Sequence, residues 1–468
     1  MPVMQHKRFV QSVGFVLCAV TSSQGAHNWV YKDHTLDNGM RVIVMEDHSA
    51  PIVAVQVWYH VGSKDEDPAR NGFAHMFEHM MFRGTERIGP EDHFKYLRRF
   101  GGAVNGYTTF DTTVYIEEVP PNQVDLTFWL EAERLANLKI NEEYFAKERE
   151  VVKEEYRLRV SDPPYGRVFE NALSLAFTKH PYRWSTIGNL DHLNAATADE
   201  LRTFFDTYYV PNNATLVVVG DVKTDDILAK AKRYFGWIPR GSDPPRVTTR
   251  EPTVTTPRRR DVYDKGPVTV VAIGYHGPGL RNPDRHAMNI LDTILSGESG
   301  RLYQKLVKEL DISVGAQSMY WALEQGAIWG IGSAVKPFGS VDANRDALEG
   351  ILDDIKNNGV TEDELIKARN QALAEAAQSR ATCAGKARRL GTAAVVEGDV
   401  DQVNRELDDL MQVSAADIQR AAATYLADDR RLTLTVKPKL AQVGDALKNL
   451  VGKKTPPAAT QPTQKDKK

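Results

Sequence analysis

The chain has 468 residues, 42% of them hydrophobic and 26% charged, with a formal net charge of −3. This is ordinary globular composition, over a length that accommodates two or more domains, each with its own core. The near-neutral balance argues against nucleic acid as a partner, because such binders carry a clustered basic excess; the one short basic run, Arg258-Arg259-Arg260, reads as a solvated linker.

Residues 1–26 read as a secretory signal. Lys7 and Arg8 precede an apolar stretch from Phe9 to Val20, and the small residues of "TSSQGA" follow. Cleavage is expected after Gly25 or Ala26. The stretch is too short to span a bilayer comfortably, and no later run is long enough to cross a membrane. The mature chain is therefore expected to be exported, to the periplasm if the source is a bacterium, with no integral membrane segment. Its one remaining cysteine, Cys383, cannot form an internal disulfide and reads as a small packed residue.

Strands are predicted in "MRVIVMED" (40–47) and "PIVAVQVWYHVGS" (51–63), joined by a turn around His48-Ser49-Ala50. A helix follows from about Gly72 to Phe82. "GGAVNGYTTFDTTVYIEEV" (101–119) has the signature of a β-hairpin, and helices follow over Val124–Leu138 and Asn141–Arg159. "SDPPYG" (161–166) breaks the second of these. "ATLVVVGDV" (214–222) reads as a strand buried on both faces.

From Pro239 to Arg260 the composition turns to Pro, Thr and Arg, as in a linker. The pattern then restarts. "VTVVAIGYHGPGLRNPDRHAMNILDTIL" (268–295) resembles "IVAVQVWYHVGSKDEDPARNGFAHMFEHM" (52–80), and "RLTLTVKPK" (431–439) answers "ATLVVVGDV". This predicts a duplication with residues 27–240 as the first domain, 241–260 as linker, 261–440 as the second domain, and 441–468 as a segment ending in a disordered tail. The expected fold is α+β, with each domain a mainly antiparallel sheet covered by helices. With Pro68 set on Pro283, His75, Glu78 and His79 fall opposite Ile290, Thr293 and Ile294. The shared fold thus needs bulk at these positions and does not need histidine.

On a helix, positions i and i+4 share a face, so His75 and His79 can present two nitrogens to one metal ion. Glu78 lies beside the same spot and can touch a metal-activated water without being a ligand. Zinc in such a site lowers the pKa of water, and a carboxylate takes the proton as a carbonyl is attacked. A third ligand is expected from the acidic helix "EEYFAKEREVVKEEYRLR" (142–159). Glu148 and Glu155 share one of its faces, and spacing alone does not choose between Glu154 and Glu155.

The stretch "HMFEH" resembles the zinc motif of the inverzincins, the pitrilysin, insulysin and mitochondrial processing peptidase family. The family's third ligand stands about 76 residues after the second histidine, which here is Glu155, with a second active-site glutamate at Glu148. "NGYTTFDTTVYIEEV" (105–119) is similar to a strand region that pairs with the substrate backbone in that family, and the similarity extends through "SGRLYQKL" (299–306). The resemblance implies one zinc per chain on His75, His79 and Glu155, with Glu78 as general base and Glu148 assisting. It implies peptide substrates held along Ala103, Val104 and Asn105, in one half of a clamshell. The family's Arg/Tyr substrate-binding pair in the second half is missing from "RLYQKLVKELDISVGA" (301–316), where Ile312 takes the Tyr position and Lys305 or Val307 the Arg position. This implies a dimer, with a heterodimer as the form in which a homologous chain supplies the pair. The competing expectation is a non-catalytic peptide-binding or assembly subunit of the same fold.

Overall fold

The computed structural model describes residues 28–441. The segment read as a secretory signal lies outside the described residues, as does the chain beyond 441. Among the described residues, eleven strands form two sheets. The first sheet holds β1 (Lys32–Thr35), β2 (Arg41–Glu46), β3 (Val53–Tyr59), β4 (Ala103–Thr108), β5 (Thr113–Val119) and β6 (Ala214–Gly220). Its order is β1-β2-β6-β3-β5-β4. The second holds β7 (Arg258–Asp264), β8 (Val270–Gly277), β9 (Ser313–Leu323), β10 (Gly326–Val335) and β11 (Leu432–Pro438), in the order β7-β11-β8-β10-β9.

The duplication is visible in the pairing itself. Apart from β1, the strand orders superimpose term by term, and each sheet contains one parallel pair, β2 with β6 and β7 with β11. All other neighbours are antiparallel. The fold is α+β in two sheet-plus-helix halves, as expected.

Seven helices bear on the site and on the packing between the halves. They are α1 (Phe73–Met80), α2 (Asp92–Arg99), α3 (Val124–Asn137), α4 (Glu142–Tyr156), α5 (Val168–Ala176), α6 (Arg285–Leu295) and α7 (Cys383–Gly391). Strand alternation sorts the packing. Val53, Val55, Val57 and Tyr59 of β3 face a core shared with Phe73, Phe77 and Met80 of α1. Ala54 and Trp58 face the other way, onto Ala387 and Leu390 of α7. The helix covering this second face thus comes from the far half of the chain. The reverse also holds: Leu173 and Ala176 of α5, from the first half, pack on Leu432, Leu434 and Val436 of β11. Each half covers the outer face of the other.

The strands read at 40–47 and 51–63 stand as β2 and β3 with the expected turn between them, and the sheet adds what the sequence left open: β6 lies between them, so they do not pair. The Val-rich β6 is fully buried and needs a neighbour on each side. The connection straddles its end, with the Asp47 N–H donating to the Gly220 carbonyl and the Asp221 N–H donating to the Ile52 carbonyl. One sequence expectation needs correction: the basic run is not a solvated linker. Arg258, Arg259 and Arg260 begin β7, and the Arg258 and Arg260 guanidiniums donate to carbonyls in the last turns of α5 (Ala176 and Asn171 among them). A helix C-terminus leaves carbonyls without partners, and cations satisfy them.

Candidate metal centre

Helix α1 is short and its face toward the sheet is apolar: Phe73, Met76, Phe77 and Met80 are buried. Side chains from the sheet grip its backbone. The Tyr115 hydroxyl donates to the Phe77 carbonyl at 2.8 Å, and the Thr108 hydroxyl to the Ala74 carbonyl at 3.4 Å. The remaining face, with His75, Glu78 and His79, turns toward α4. That helix starts at Asn141, whose side chain accepts from the Tyr144 N–H, and anchors itself through Phe145 and Val152. It continues into a π-helical turn over Arg157–Ser161.

The acidic helix resolves the choice that spacing left open. Glu154 is 54% exposed and pairs with Arg157. Glu155 turns inward, and one of its oxygens, Oε2, stands 3.2 Å from His75 Nε2 and 3.3 Å from His79 Nε2. Each histidine has its other nitrogen on a carboxylate: His75 Nδ1 faces Glu78 Oε2 at 3.1 Å and His79 Nδ1 faces Glu148 Oε2 at 3.3 Å. With Nδ1–H donated to those carboxylates, both Nε2 atoms would be left to bind a cation beside the Glu155 oxygen.

Three acceptor atoms that face one another fit a cation between them. Tetrahedral ligands at about 2.0–2.1 Å from zinc lie about 3.3–3.4 Å apart, close to the observed separations. The electrostatics agree. Burial alone would lower His79, but its hydrogen bonds to Glu148 and Glu155 lift it to about 9. His75 is raised in the same way against its burial, by Glu155 and Glu78. Hydrogen bonds from His75 and His79 hold Glu155 far below the usual carboxylate range. The pocket gathers positive charge.

All five predicted residues of the centre are therefore brought together. Ala103, Val104 and Asn105 begin β4, which among the described residues pairs only with β5 and is the edge strand of its sheet. Three residues that sequence reasoning passed over also belong to the surroundings. Arg83 Nη2 lies 2.5 Å from Glu148 Oε1, and Arg159 Nη1 lies 2.6 Å from Glu155 Oε1. Arg159 stands four residues after Glu155, a spacing that could have flagged it, whereas Arg83 reaches Glu148 from beyond the end of α1. Glu66 reaches the start of α1, with its oxygens on the Gly72 and Ala74 N–H groups. Burial pushes its carboxyl up to about 8 while these two donors pull it down.

A second buried group, His93, Glu117 and Glu131, has metal-like spacing but a different character. Arg134 already stands among its carboxylates, with Nη2 3.0 Å from Glu117 and paired with Glu131. Its guanidinium lies over the Tyr115 ring at 4.2 Å. The positive charge there is supplied by the protein.

At the positions of the missing pair, Ile312 packs against the second core, while Lys305 pairs with Glu309. Opposite α1, Ile290 and Ile294 of α6 are buried in that same core.

Residues 41–189 match the family described as Insulinase (Peptidase family M16), and residues 195–372 match the Peptidase M16 inactive domain. The chain belongs to peptidase family M16, whose named members define a class of zinc metallopeptidases. Among its relatives is the zinc protease PqqE of Helicobacter pylori, 28% identical over 92% of this chain and 99% of that protein. The crystal structure of a protease from Helicobacter pylori superimposes with a TM-score of 0.84 at 27% identity, covering 88% of this chain and all (100%) of that one. The periplasmic protease PqqL from Escherichia coli shares the fold at 20% identity, with a TM-score of 0.72 over 93% of this chain but only 52% of PqqL. No helix among the described residues is long and apolar enough to cross a membrane.

Proposed function

We propose that this chain is a zinc-dependent endopeptidase that hydrolyses short or unfolded peptides. The observation that carries the reading is the meeting of His75 Nε2, His79 Nε2 and Glu155 Oε2 around one point. These three residues would hold one zinc ion per chain. When bound, zinc supplies Lewis acidity, which lowers the pKa of water and polarises a carbonyl.

The protein's own groups do the rest. Glu148 keeps His79 in the tautomer that leaves Nε2 free. Glu78 is 21% exposed, more than Glu148 or Glu155, and is the carboxylate that an incoming water meets. It takes the proton from that water and passes it to the leaving amine. The edge strand β4 at Ala103, Val104 and Asn105 pairs with an extended peptide through backbone hydrogen bonds, which tolerate many side chains. A folded protein cannot offer such a strand, so the substrate is short or unfolded.

The chain up to residue 240 forms the domain with the metal centre and the chain from Arg258, where β7 begins, its metal-free copy, joined by residues 241–257. The leading segment directs export, to the periplasm in a bacterium. The second half lacks the Arg/Tyr pair, so full activity calls for a homologous chain that provides it. PqqL is about twice the length that this chain matches, which supports a working unit of two such chains.

The test is metal content and peptide cleavage by the mature chain, wild type beside Glu78→Gln, alone and mixed with a co-encoded homologue. About one zinc in both proteins, with cleavage only by wild type, is the expected outcome. Zinc in both and cleavage by neither, even with the homologue, would replace this reading with a peptide-binding subunit. Full turnover by the chain alone would remove the need for a partner.

A further inference from the structure

Residues 62–72 form a strap from the end of β3 to the start of α1, and it is tied down along its length. Lys64, 2% exposed, pairs with Asp111 at 3.1 Å and with Glu324 of the second half at 3.0 Å. The Trp184 Nε1–H donates to the Ser63 carbonyl at 2.8 Å, and the Tyr208 hydroxyl to the Asp65 carbonyl at 3.0 Å. The Gly62 N–H donates to Asp65 Oδ2 at 3.0 Å.

At the far end the strap turns back on α1. A helix leaves its first four N–H groups without internal partners, and an N-cap side chain ordinarily takes one or two of them. Here the N-cap is Gly72, at φ +106°, and it has no side chain to offer. Glu66 does the work from six residues away. Its Oε2 accepts from the Gly72 N–H and its Oε1 from the Ala74 N–H, both at 2.8 Å. The group is buried, so water does not compete for these amides. Ala74 immediately precedes His75, and one helical turn later comes His79. An error in the start of so short a helix is carried undiminished to both histidines.

We infer that Glu66 is a positioning residue for the metal centre: it sets the start of α1 so that both imidazoles meet Glu155. This rests on the metal reading above. It implies that the loop is part of the centre, acting through the backbone of α1 and not as a metal ligand.

The experiment uses the mature chain as wild type, Glu66→Gln and Leu348→Ala. Gln keeps the size of Glu66 but only one acceptor oxygen, and sets an NH2 against a helix N–H. Leu348 is fully buried in the core of the second half and serves as a control for general destabilisation. Zinc affinity is measured by chelator competition, Tm by calorimetry, and amide exchange across residues 72–80 on the metal-free proteins. Glu66→Gln is expected to bind zinc about tenfold more weakly, the low end of outer-shell losses. It should also exchange the Gly72 and Ala74 amides faster and lose kcat at an unchanged KM. Leu348→Ala is expected to lose Tm but keep its zinc affinity. Wild-type zinc affinity in Glu66→Gln, or equal zinc loss in Leu348→Ala at equal Tm loss, would overturn the positioning role alone. A wild-type chain that takes up no zinc would overturn the metal reading, and the positioning role with it.

Discussion

His79 has a carboxylate on each ring nitrogen, Glu148 on one side and Glu155 on the other. The two carboxylates are not equivalent. Glu155 is partly open, while Glu148 is 1% exposed and held from behind by Arg83. Replacing Glu148 with Gln should therefore leave the ligand set intact but free the imidazole to turn. Zinc affinity, read by chelator competition, is expected to fall about 10–100-fold, with the fold retained by circular dichroism. An unchanged affinity would make Glu148 a buried partner of Arg83 and no more. At this scale the two histidines and Glu78 were readable from helical spacing, because i and i+4 are local geometry. Glu155 needed the resemblance, since nothing local separates it from Glu154. Arg159 was within reach of spacing, four residues after Glu155, but Arg83 and Glu66 were not, because what each touches depends on how α1, α4 and the strap pack together.

Elements were legible where periodicity is strong and local. The helix bearing the motif, the hairpin of β4 and β5 and the buried β6 all stand where their patterns placed them. Neighbours in a sheet are a different matter. The turn after β2 looks like a hairpin turn, and only the register of β6 shows that a third strand occupies the gap. Helix α7 gives this scale its prediction. Its last residue, Gly391, sits directly on the Trp58 indole, and a Cβ there would fall inside the ring's van der Waals envelope. Gly391→Ala is expected to cost about 1–3 kcal/mol by overpacking, read as a lowered urea midpoint. An unchanged midpoint would mean that α7 can shift on the sheet without penalty.

For the whole molecule, the duplication was readable from self-similarity, but the exchange of covering helices was not. Nothing in the α5 or α7 sequences says which sheet they will cover. The junction between halves is also polar as well as apolar. Glu324, at the tip of the β9–β10 hairpin, meets Lys64 at 3.0 Å and His60 at 2.9 Å, and its N–H donates to Asp111 at 3.0 Å. Burial pushes the Glu324 carboxyl up, but the His60 hydrogen bond and the Lys64 charge pull it further down, to about 2. A carboxyl with a depressed folded pKa stabilises most above its unfolded value near 4.5, and that stability is lost as pH falls through about 2. The stability gap between wild type and Glu324→Gln should thus be full above pH 4.5 and close toward pH 2, in denaturant titrations at stepped pH. A gap that does not change with pH would mean that Glu324 acts by packing alone.

The helix that covers the outer face of the first sheet also sets a clock on synthesis. The last strand of that sheet ends at Gly220, but its cover begins only at Cys383. At roughly 5–20 residues per second, the ribosome needs on the order of ten seconds or more to make the intervening chain. Through that interval Ile43, Ala54, Trp58, Val217 and Val219 form an apolar face with no cover of their own. A nascent first half is thus sticky by construction, and whatever shields it before α7 arrives contributes to the yield of the folded protein as directly as any residue in its core.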